Sequence, residues 1–171
     1  MIPVLETERL ILREWRDADF AGYGAYRQDA ECSKYIGVVD ANEAWRAMAY
    51  MAGHWQLRGY GNWSVVEKSS GKPCGHCGPY NPMGWPEPEI GWGLYPGFWG
   101  KGYATEMATA ALEYAYTKLG WKTAISFISN ENAGSIALAK RLGAVAESTK
   151  IYRDVQCTIY RHLSPSNFLK H

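Results

Sequence analysis

The sequence predicts an α+β domain whose sheet is mixed, and three observations lead there. Strand-like segments come first, and the second half reads strand, helix, strand, helix, strand, strand. The chain has 171 residues, of which 47% are hydrophobic, enough for one core but not for two of ordinary size. Proline and glycine gather in two places that divide the pattern: five of the eight prolines fall between Pro73 and Pro88, and Gly91, Gly93, Gly97, Gly100 and Gly102 follow directly. We read residues 1–171 as one domain.

The elements follow in order. Leu10-Ile11-Leu12-Arg13 reads as a first strand. Asp17 is a candidate cap for a short helix reaching Arg27, and Asn42 for a second helix in which Trp45, Met48, Ala49, Ala52 and Trp55 follow helical spacing. Trp63 to Val66 and a strand from Cys74 to Tyr80 flank Ser70-Gly71-Lys72, a hairpin signal. The prolines suggest that the second of these is an edge strand leading into a long loop. Glu89 to Leu94 alternates as a strand. From Tyr103 to Leu119, Ala104, Met107, Ala108, Ala111, Leu112, Ala115 and Leu119 form one apolar helical face, and Gly120 is placed to stop it. Ala124 to Ile128 reads as a buried strand. A helix from Asn132 to Leu142 follows, ended by Gly143, and the chain finishes with strands over 145–152 and 155–163 that turn at Arg153-Asp154.

Composition excludes several function classes. There are 18 basic and 17 acidic residues, net +1, and no run of like charge, which speaks against nucleic acid as a partner. No apolar stretch approaches the roughly 20 residues of a membrane span, and the amino end lacks the pattern of a signal peptide. A cytoplasmic protein without a membrane partner is expected. The four cysteines suit a reducing compartment. Cys74-Gly75-His76-Cys77 is spelled like a redox pair, but Pro79 and Pro82 forbid the helix that would activate a thiolate, and alternation would turn the two thiols to opposite faces. No paired spacing supplies a zinc site, so no metal is expected.

The segment Pro96-Gly97-Phe98-Trp99-Gly100-Lys101-Gly102-Tyr103-Ala104-Thr105 joins a strand to the start of the strongest helix. Its amides and the positive end of that helix make an anion site suited to a phosphate or pyrophosphate. It is not a P-loop, because Tyr95 and Gly102 stand where Gly and Ser or Thr are required. It is not a dinucleotide fingerprint, because Thr105 replaces the third glycine. On the preceding strand, Glu89, Gly91 and Gly93 share a face on which two side chains are missing, open to a ligand with a carboxylate at its end.

With these motifs the sequence resembles the GNAT superfamily of acetyl-CoA-dependent N-acetyltransferases, and within it the RimJ/RimL-like branch of ribosomal-protein N-terminal acetyltransferases. Thr7-Glu8-Arg9-Leu10-Ile11-Leu12-Arg13 is similar to that branch's opening strand. Glu89-Ile90-Gly91-Trp92-Gly93-Leu94 and Trp99 to Glu106 resemble its fourth strand, pyrophosphate loop and third helix. Asn132-Ala133-Gly134-Ser135, with Leu142-Gly143, resembles its second cofactor motif. The resemblance implies a mostly antiparallel sheet of six to seven strands flanked by about four helices. It also implies a splayed V between the fourth and fifth strands, here those ending near Leu94 and lying around Ile125. Residues 1–88 would shape the acceptor site, 89–145 would bind acetyl-CoA, and 145–163 would form the terminal hairpin.

Acetyl-CoA as cosubstrate would then set its pyrophosphate on Trp99, Gly100, Lys101, Gly102, Tyr103, Ala104 and Thr105, and its pantetheine arm along Trp92, Gly93 and Leu94, with Asn132 bonding that arm. Two positions depart from the pattern. Gly97 replaces a basic or Gln residue, and the Tyr that in many relatives protonates the leaving thiolate falls at Ala139.

The implied activity is acetyl transfer to a primary amine by direct attack in a ternary complex. A lysine amine lies about 4.6 kcal/mol from its neutral form at pH 7, an α-amine only about 1 kcal/mol, so a general base is needed in either case. Glu89 is the candidate base, an amide near Trp92 to Leu94 the oxyanion donor, and Ser135 the candidate donor to sulfur, unless it merely belongs to the helix cap. The acceptor is expected to be a peptide N-terminus or a small molecule, and a homodimer is in keeping with many relatives. A silent acyl-CoA sensor is the alternative.

Aromatic residues make up 14% of the chain, and 17 of the 24 lie at or before Tyr103. Tyr23, Tyr26, Tyr35, Trp45, Tyr50 and Trp55 occupy the acceptor-shaping segments. We expect most of them in the core and one or two along a cleft, with the aromatic-poor half acting mainly as cofactor scaffold.

Overall fold

In the computed structural model, which describes residues 1–170, the strands are β1 (Leu5–Glu6), β2 (Leu10–Arg13), β3 (Trp63–Glu67), β4 (Pro73–Tyr80), β5 (Glu89–Leu94), β6 (Ile125–Ser129), β7 (Val145–Tyr152) and β8 (Val155–Arg161). They form one sheet in the order β1-β2-β3-β4-β5-β6-β8-β7, antiparallel except between β5 and β6. The helices are α1 (Phe20–Gln28), α2 (Ala30–Ser33), α3 (Ala41–Arg58), α4 (Tyr103–Thr117), α5 (Ala133–Arg141) and α6 (Pro165–Phe168). The expected six to seven strands become eight because the two-residue β1 adds an edge. Among the described residues four helices exceed one turn, as expected.

Neither expected amino-terminal cap is used. Asp40, not Asn42, accepts the Glu43 amide at 2.8 Å, so α3 begins earlier and its buried face carries Ala44, Met48, His54 and Trp55 while Trp45 is exposed. Asp17 caps no helix: it opens a short turn before α1 in which Asp19, held by Arg13 through two 2.7 Å bonds, accepts the Arg16 amide, and no side chain caps α1 itself. The other stops behave as expected: Gly120 and Gly143 end their helices at positive φ, and Arg153-Asp154 turns the final hairpin with φ of 48° and 64°.

β4 is not an edge strand. It pairs with β3 and β5 along its length, and Pro79 is tolerated because it lies beyond the last β3 pair, Trp63 with Cys77, where no ladder bond is lost. The Asn62 amide covers that end by donating to the Gly78 carbonyl at 3.2 Å. A bulge where β3 passes from Val65 to Val66 skips Cys74 in the pairing, and this cancels the alternation. Cys74 and Cys77 therefore enter the same core cluster, both as free thiols whose pKa burial pushes up.

That cluster lies between the sheet and α4, where Met107, Ala108, Ala111, Leu112 and Ala115 meet Leu10, Leu12, Val65 and Ile90. The first turn of α4 is also tied to the opening strands. Glu106 accepts from the Thr7 hydroxyl at 2.6 Å, the Arg9 amide at 2.8 Å and Arg9 Nε at 2.8 Å. This gives a physical reason for the Thr7 to Arg9 motif, since these residues fix the start of the helix that borders the glycine loop. Burial raises the Glu106 pKa, but the three donors outweigh it and leave the carboxyl below its usual range. Its stabilisation is present above the ordinary glutamate pKa and fades as pH falls through the lowered value. We expect Glu106→Ala to cost about 2 kcal/mol in urea denaturation at pH 7, and distinctly less at pH 3.

Candidate active site

β5 and β6 meet in a single register pair, Glu89 with Ile125, next to which the Ile125 amide donates to the Pro88 carbonyl at 3.0 Å. Beyond it the strands splay and side chains take over the missing ladder. The Phe127 amide donates to Glu89 Oε1 at 2.9 Å, and Ser126 Oγ donates to the Ile90 carbonyl at 2.8 Å. The expected V is therefore present, and Glu89 and Ser126 close its apex.

The free edge of β5 follows from strand geometry. The Tyr95 amide donates to Cys74 of β4, so odd-numbered residues turn their polar groups toward β4, while Ile90, Trp92 and Leu94 turn theirs toward the gap. Trp99 Nε1 donates to the Leu94 carbonyl at 3.0 Å. The Trp92 amide and carbonyl and the Leu94 amide then make the edge available to an extended ligand, and the polar groups of Gly93 do not. The two glycines also differ on their shared face. A Cβ at Gly91 would meet nothing within 4 Å, whereas at Gly93 it would strike His76 and the Tyr26 hydroxyl. The open face expected at both positions exists only at Gly91, and at Gly93 it is filled by packing.

The glycine loop has the form of an anion nest. Gly97, Gly100 and Gly102 take φ of 85°, 74° and 82°, and among the described residues no protein acceptor meets the amides of Trp99 to Thr105. Gly102 is the residue before α4, whose positive end adds to them. Three cations flank the nest: Arg9 donates to the Lys101 carbonyl at 2.8 Å, Arg141 donates to Thr105 Oγ1 at 3.1 Å, and Lys101 stands 3.7 Å from Glu67 and over the ring of Phe98. Tyr103 does not turn toward a ligand through its hydroxyl, which donates to Glu67 at 2.6 Å. Orphaned amides beside a free strand edge fit the pyrophosphate and pantetheine of acetyl-CoA.

Asn132 caps α5, its side chain accepting the Ser135 amide at 3.1 Å, which leaves its amide nitrogen for a ligand. Ser135 does more than belong to this cap. Trp92 Nε1, which can only donate, gives its hydrogen to Ser135 Oγ at 3.2 Å, so the serine hydroxyl keeps its own hydrogen for another acceptor. Ala139 is buried against Ile128, Ala144 and Tyr160, and no phenol reaches the gap from that turn.

Glu89 is buried rather than solvated. Burial pushes its pKa up to about 7 against the pull of the Phe127 amide and of Trp85 Nε1, which donates to Oε2 at 2.6 Å. Tyr80 and Cys157 near it are held neutral, burial raising both pKa values. Because the Trp85 bond favours the charged carboxylate, Trp85→Phe should raise the Glu89 pKa by roughly one unit, visible as an acid limb of kcat/KM displaced to higher pH.

These residues border a cleft of about 1000 Å³ that Glu89, Gly91, Trp92, Asn132 and Ser135 share with acceptor-side residues. Of the six aromatics in the acceptor-shaping segments, Tyr23 and Tyr26 are buried with Met48 and Tyr95 behind the cleft, Trp55 is core and Trp45 is exposed, which leaves Tyr35 and Tyr50 along the cleft itself. Phe127 and Tyr152 also line it, stacked edge-on with Trp85, so the later half of the chain is more than cofactor scaffold. Sequence reading missed Trp85, which stood in view as the aromatic of the proline loop. It also missed Ser126 and His162, whose 2.8 Å contact joins positions 36 residues apart that share no motif.

Known proteins give a consistent comparison. The family profile described as "Acetyltransferase (GNAT) domain" matches residues 9–145. The N-acetyltransferase p20 of Bacillus licheniformis, itself uncharacterized, is 32% identical over 144 residues, covering 81% of this chain and 80% of that protein. The crystal structure of an acetyltransferase from Agrobacterium tumefaciens str. C58 superposes with a TM-score of 0.88 at 32% identity, covering 95% of each chain. RimL, a ribosomal L7/L12 α-N-protein acetyltransferase solved in complex with coenzyme A, superposes with a TM-score of 0.76 over 94% of this chain and 98% of its own. At 14% identity that likeness is one of fold.

Proposed function

The chain belongs to the GNAT acetyltransferase family, and from that premise we propose that it is an N-acetyltransferase that moves an acetyl group from acetyl-CoA to the α-amine of a peptide in a ternary complex. The observation that carries this reading is the buried Glu89 carboxyl at the apex of the V, facing the cleft between the free β5 edge and Ser135.

Acetyl-CoA supplies a thioester carbonyl open to attack. Amides 99–105 would hold its pyrophosphate, the Trp92 and Leu94 edge its arm, and Asn132 would add a side-chain bond. Glu89 takes the proton of the incoming amine, directly or through water. At a pKa of about 7, drawing a proton from an α-amine near 7.8 costs about 1 kcal/mol, whereas a lysine amine near 10.4 costs about 4.6 kcal/mol. The match favours an α-amine. The Trp92 or Leu94 amide would stabilise negative charge on the acetyl oxygen, and the Ser135 hydrogen, left free by Trp92, would meet the departing sulfur. This complement of groups favours catalysis over silent sensing.

Release of coenzyme A thiol from acetyl-CoA, followed with a panel of short peptides, tests the reading. Free N-termini should react, and N-terminally blocked peptides bearing a lysine should not. Tight acetyl-CoA binding with no thiol release from any amine would replace the enzyme with a sensor.

A further inference from the structure

The acceptor side of the cleft contains a cation that acetyl transfer as described does not use. Arg27 lies in the last turn of α1 and lines the cleft. Its contacts are neutral ones: Nη1 donates to the Tyr23 hydroxyl at 3.3 Å and Nη2 to the Gly37 carbonyl at 3.1 Å. Nε is buried with no acceptor, and among the described residues no carboxylate forms an ion pair with this guanidinium. Asp19, just before α1, is already taken by Arg13 and the Arg16 amide. A guanidinium offers five donors in one plane and matches a carboxylate in two parallel bonds. Holding one beside a cleft without a counter-charge is costly unless an anion arrives from outside.

The rest of the lining is close to charge balance. Arg153 lies at the cleft margin against the ring of Tyr152, held at the hairpin turn with φ of 48°. Lys34 is paired with Glu31. The only acids on the lining are Glu43 and Glu89. With Lys34 paired, the lining holds two cations, Arg27 and Arg153, against Glu43 and Glu89, so it is the missing partner of Arg27 rather than a net charge that calls for a ligand carboxylate.

We infer that the acceptor is a primary amine that also carries a carboxylate, with Arg27 receiving the carboxylate while Glu89 receives the proton of the amine. The inference rests on the acetyltransferase reading and narrows its substrate class. Two sources share this chemistry: a peptide with Asp or Glu close to its N-terminus, and a small amino carboxylate.

The experiment measures thiol release with matched acceptors. One set pairs peptides bearing Asp or Glu in their leading residues with their Asn or Gln counterparts, all amidated at the C-terminus. The other pairs small amino carboxylates with their amides. The carboxylate member should be preferred by about 10- to 100-fold in kcat/KM, mostly through KM, and the set that shows the preference identifies the source. Arg27→Gln should erase the preference while leaving acetyl-CoA affinity unchanged, and Arg27→Lys, which keeps the charge but not the fork, should retain part of it. Equal efficiency with both members of every pair overturns the inference and leaves acetyl transfer standing. So does an Arg27→Gln variant that slows every acceptor alike. No thiol release from any amine overturns the acetyltransferase reading and the inference with it.

Discussion

Glu89→Gln is expected to lower turnover about 10²-fold while acetyl-CoA binding stays nearly unchanged. The amide side chain preserves size and can still accept from the Phe127 amide, so the apex of the V is kept, but it cannot take a proton. The pH profile is the more telling measurement. In the parent enzyme the acid limb of kcat/KM should fall with an apparent pKa of about 7, and in the variant the remaining limb should track the free amine of each acceptor, near 7.8 for an α-amine. Stability moves the other way. The folded carboxyl binds its proton more tightly than the unfolded one, so its penalty is absent below the ordinary glutamate pKa and grows as pH rises toward 7. Glu89→Gln should therefore melt higher than the parent at pH 8 and about equally at pH 4. An acid limb that stays near 7 in the variant, whatever the acceptor's own pKa, would remove Glu89 from the mechanism.

Gly102→Val is expected to abolish measurable acetyl-CoA binding. Gly102 has φ of 82°, a region costly for any side chain and worst for a β-branched one, and a Cβ there would also press on the Arg9 guanidinium at 3.3 Å. Relief requires the loop to turn its amides away. Losing two charge-assisted bonds to a pyrophosphate is worth about 3–6 kcal/mol, or roughly 10²- to 10⁴-fold in affinity. Calorimetry against acetyl-CoA measures the loss. Gly100→Ala provides the milder comparison, since its Cβ meets nothing within 4 Å and only the strain at φ of 74° remains. Parent-like affinity in folded Gly102→Val would separate the loop from the cofactor.

Much of this arrangement was legible in the sequence because its signals are local. β5 from Glu89 to Leu94, the glycine loop, α4 and the Asn132 cap each depend on neighbours within a few residues, through alternation, positive φ or a side chain reaching three positions ahead. Errors arose where a local signal competed with a distant partner. Asp17 has the right chemistry for a cap, but Arg13 fixes Asp19 instead. Trp45 fits the spacing of the α3 face, yet the side chains packed opposite select Ala44 and Met48. Gly93 reads as an open backbone like Gly91, although His76 and Tyr26, brought in from β4 and α1, occupy its face. The opposed thiols predicted for Cys74 and Cys77 fail through one bulge that no local pattern announces.

The sequence by itself determined the order of the elements, the anion-binding form of the loop, and the family. Periodicity and turn chemistry act over a few residues, and the motifs lie in fixed order along the chain. Only the tertiary structure decided what Glu89 is. Its carboxyl takes a pKa of about 7, which the proposed base requires, because the splay of β5 from β6 buries it beside Phe127 and Trp85. Tertiary structure also assigned Ser135 its free hydrogen through Trp92, and left Arg27 at the cleft without a counter-charge. Charge state, hydrogen-bond direction and the absence of a partner depend on burial and on groups such as Phe127 and Ser135 that lie tens of residues from their partners, and those are fixed only once the chain has closed around them.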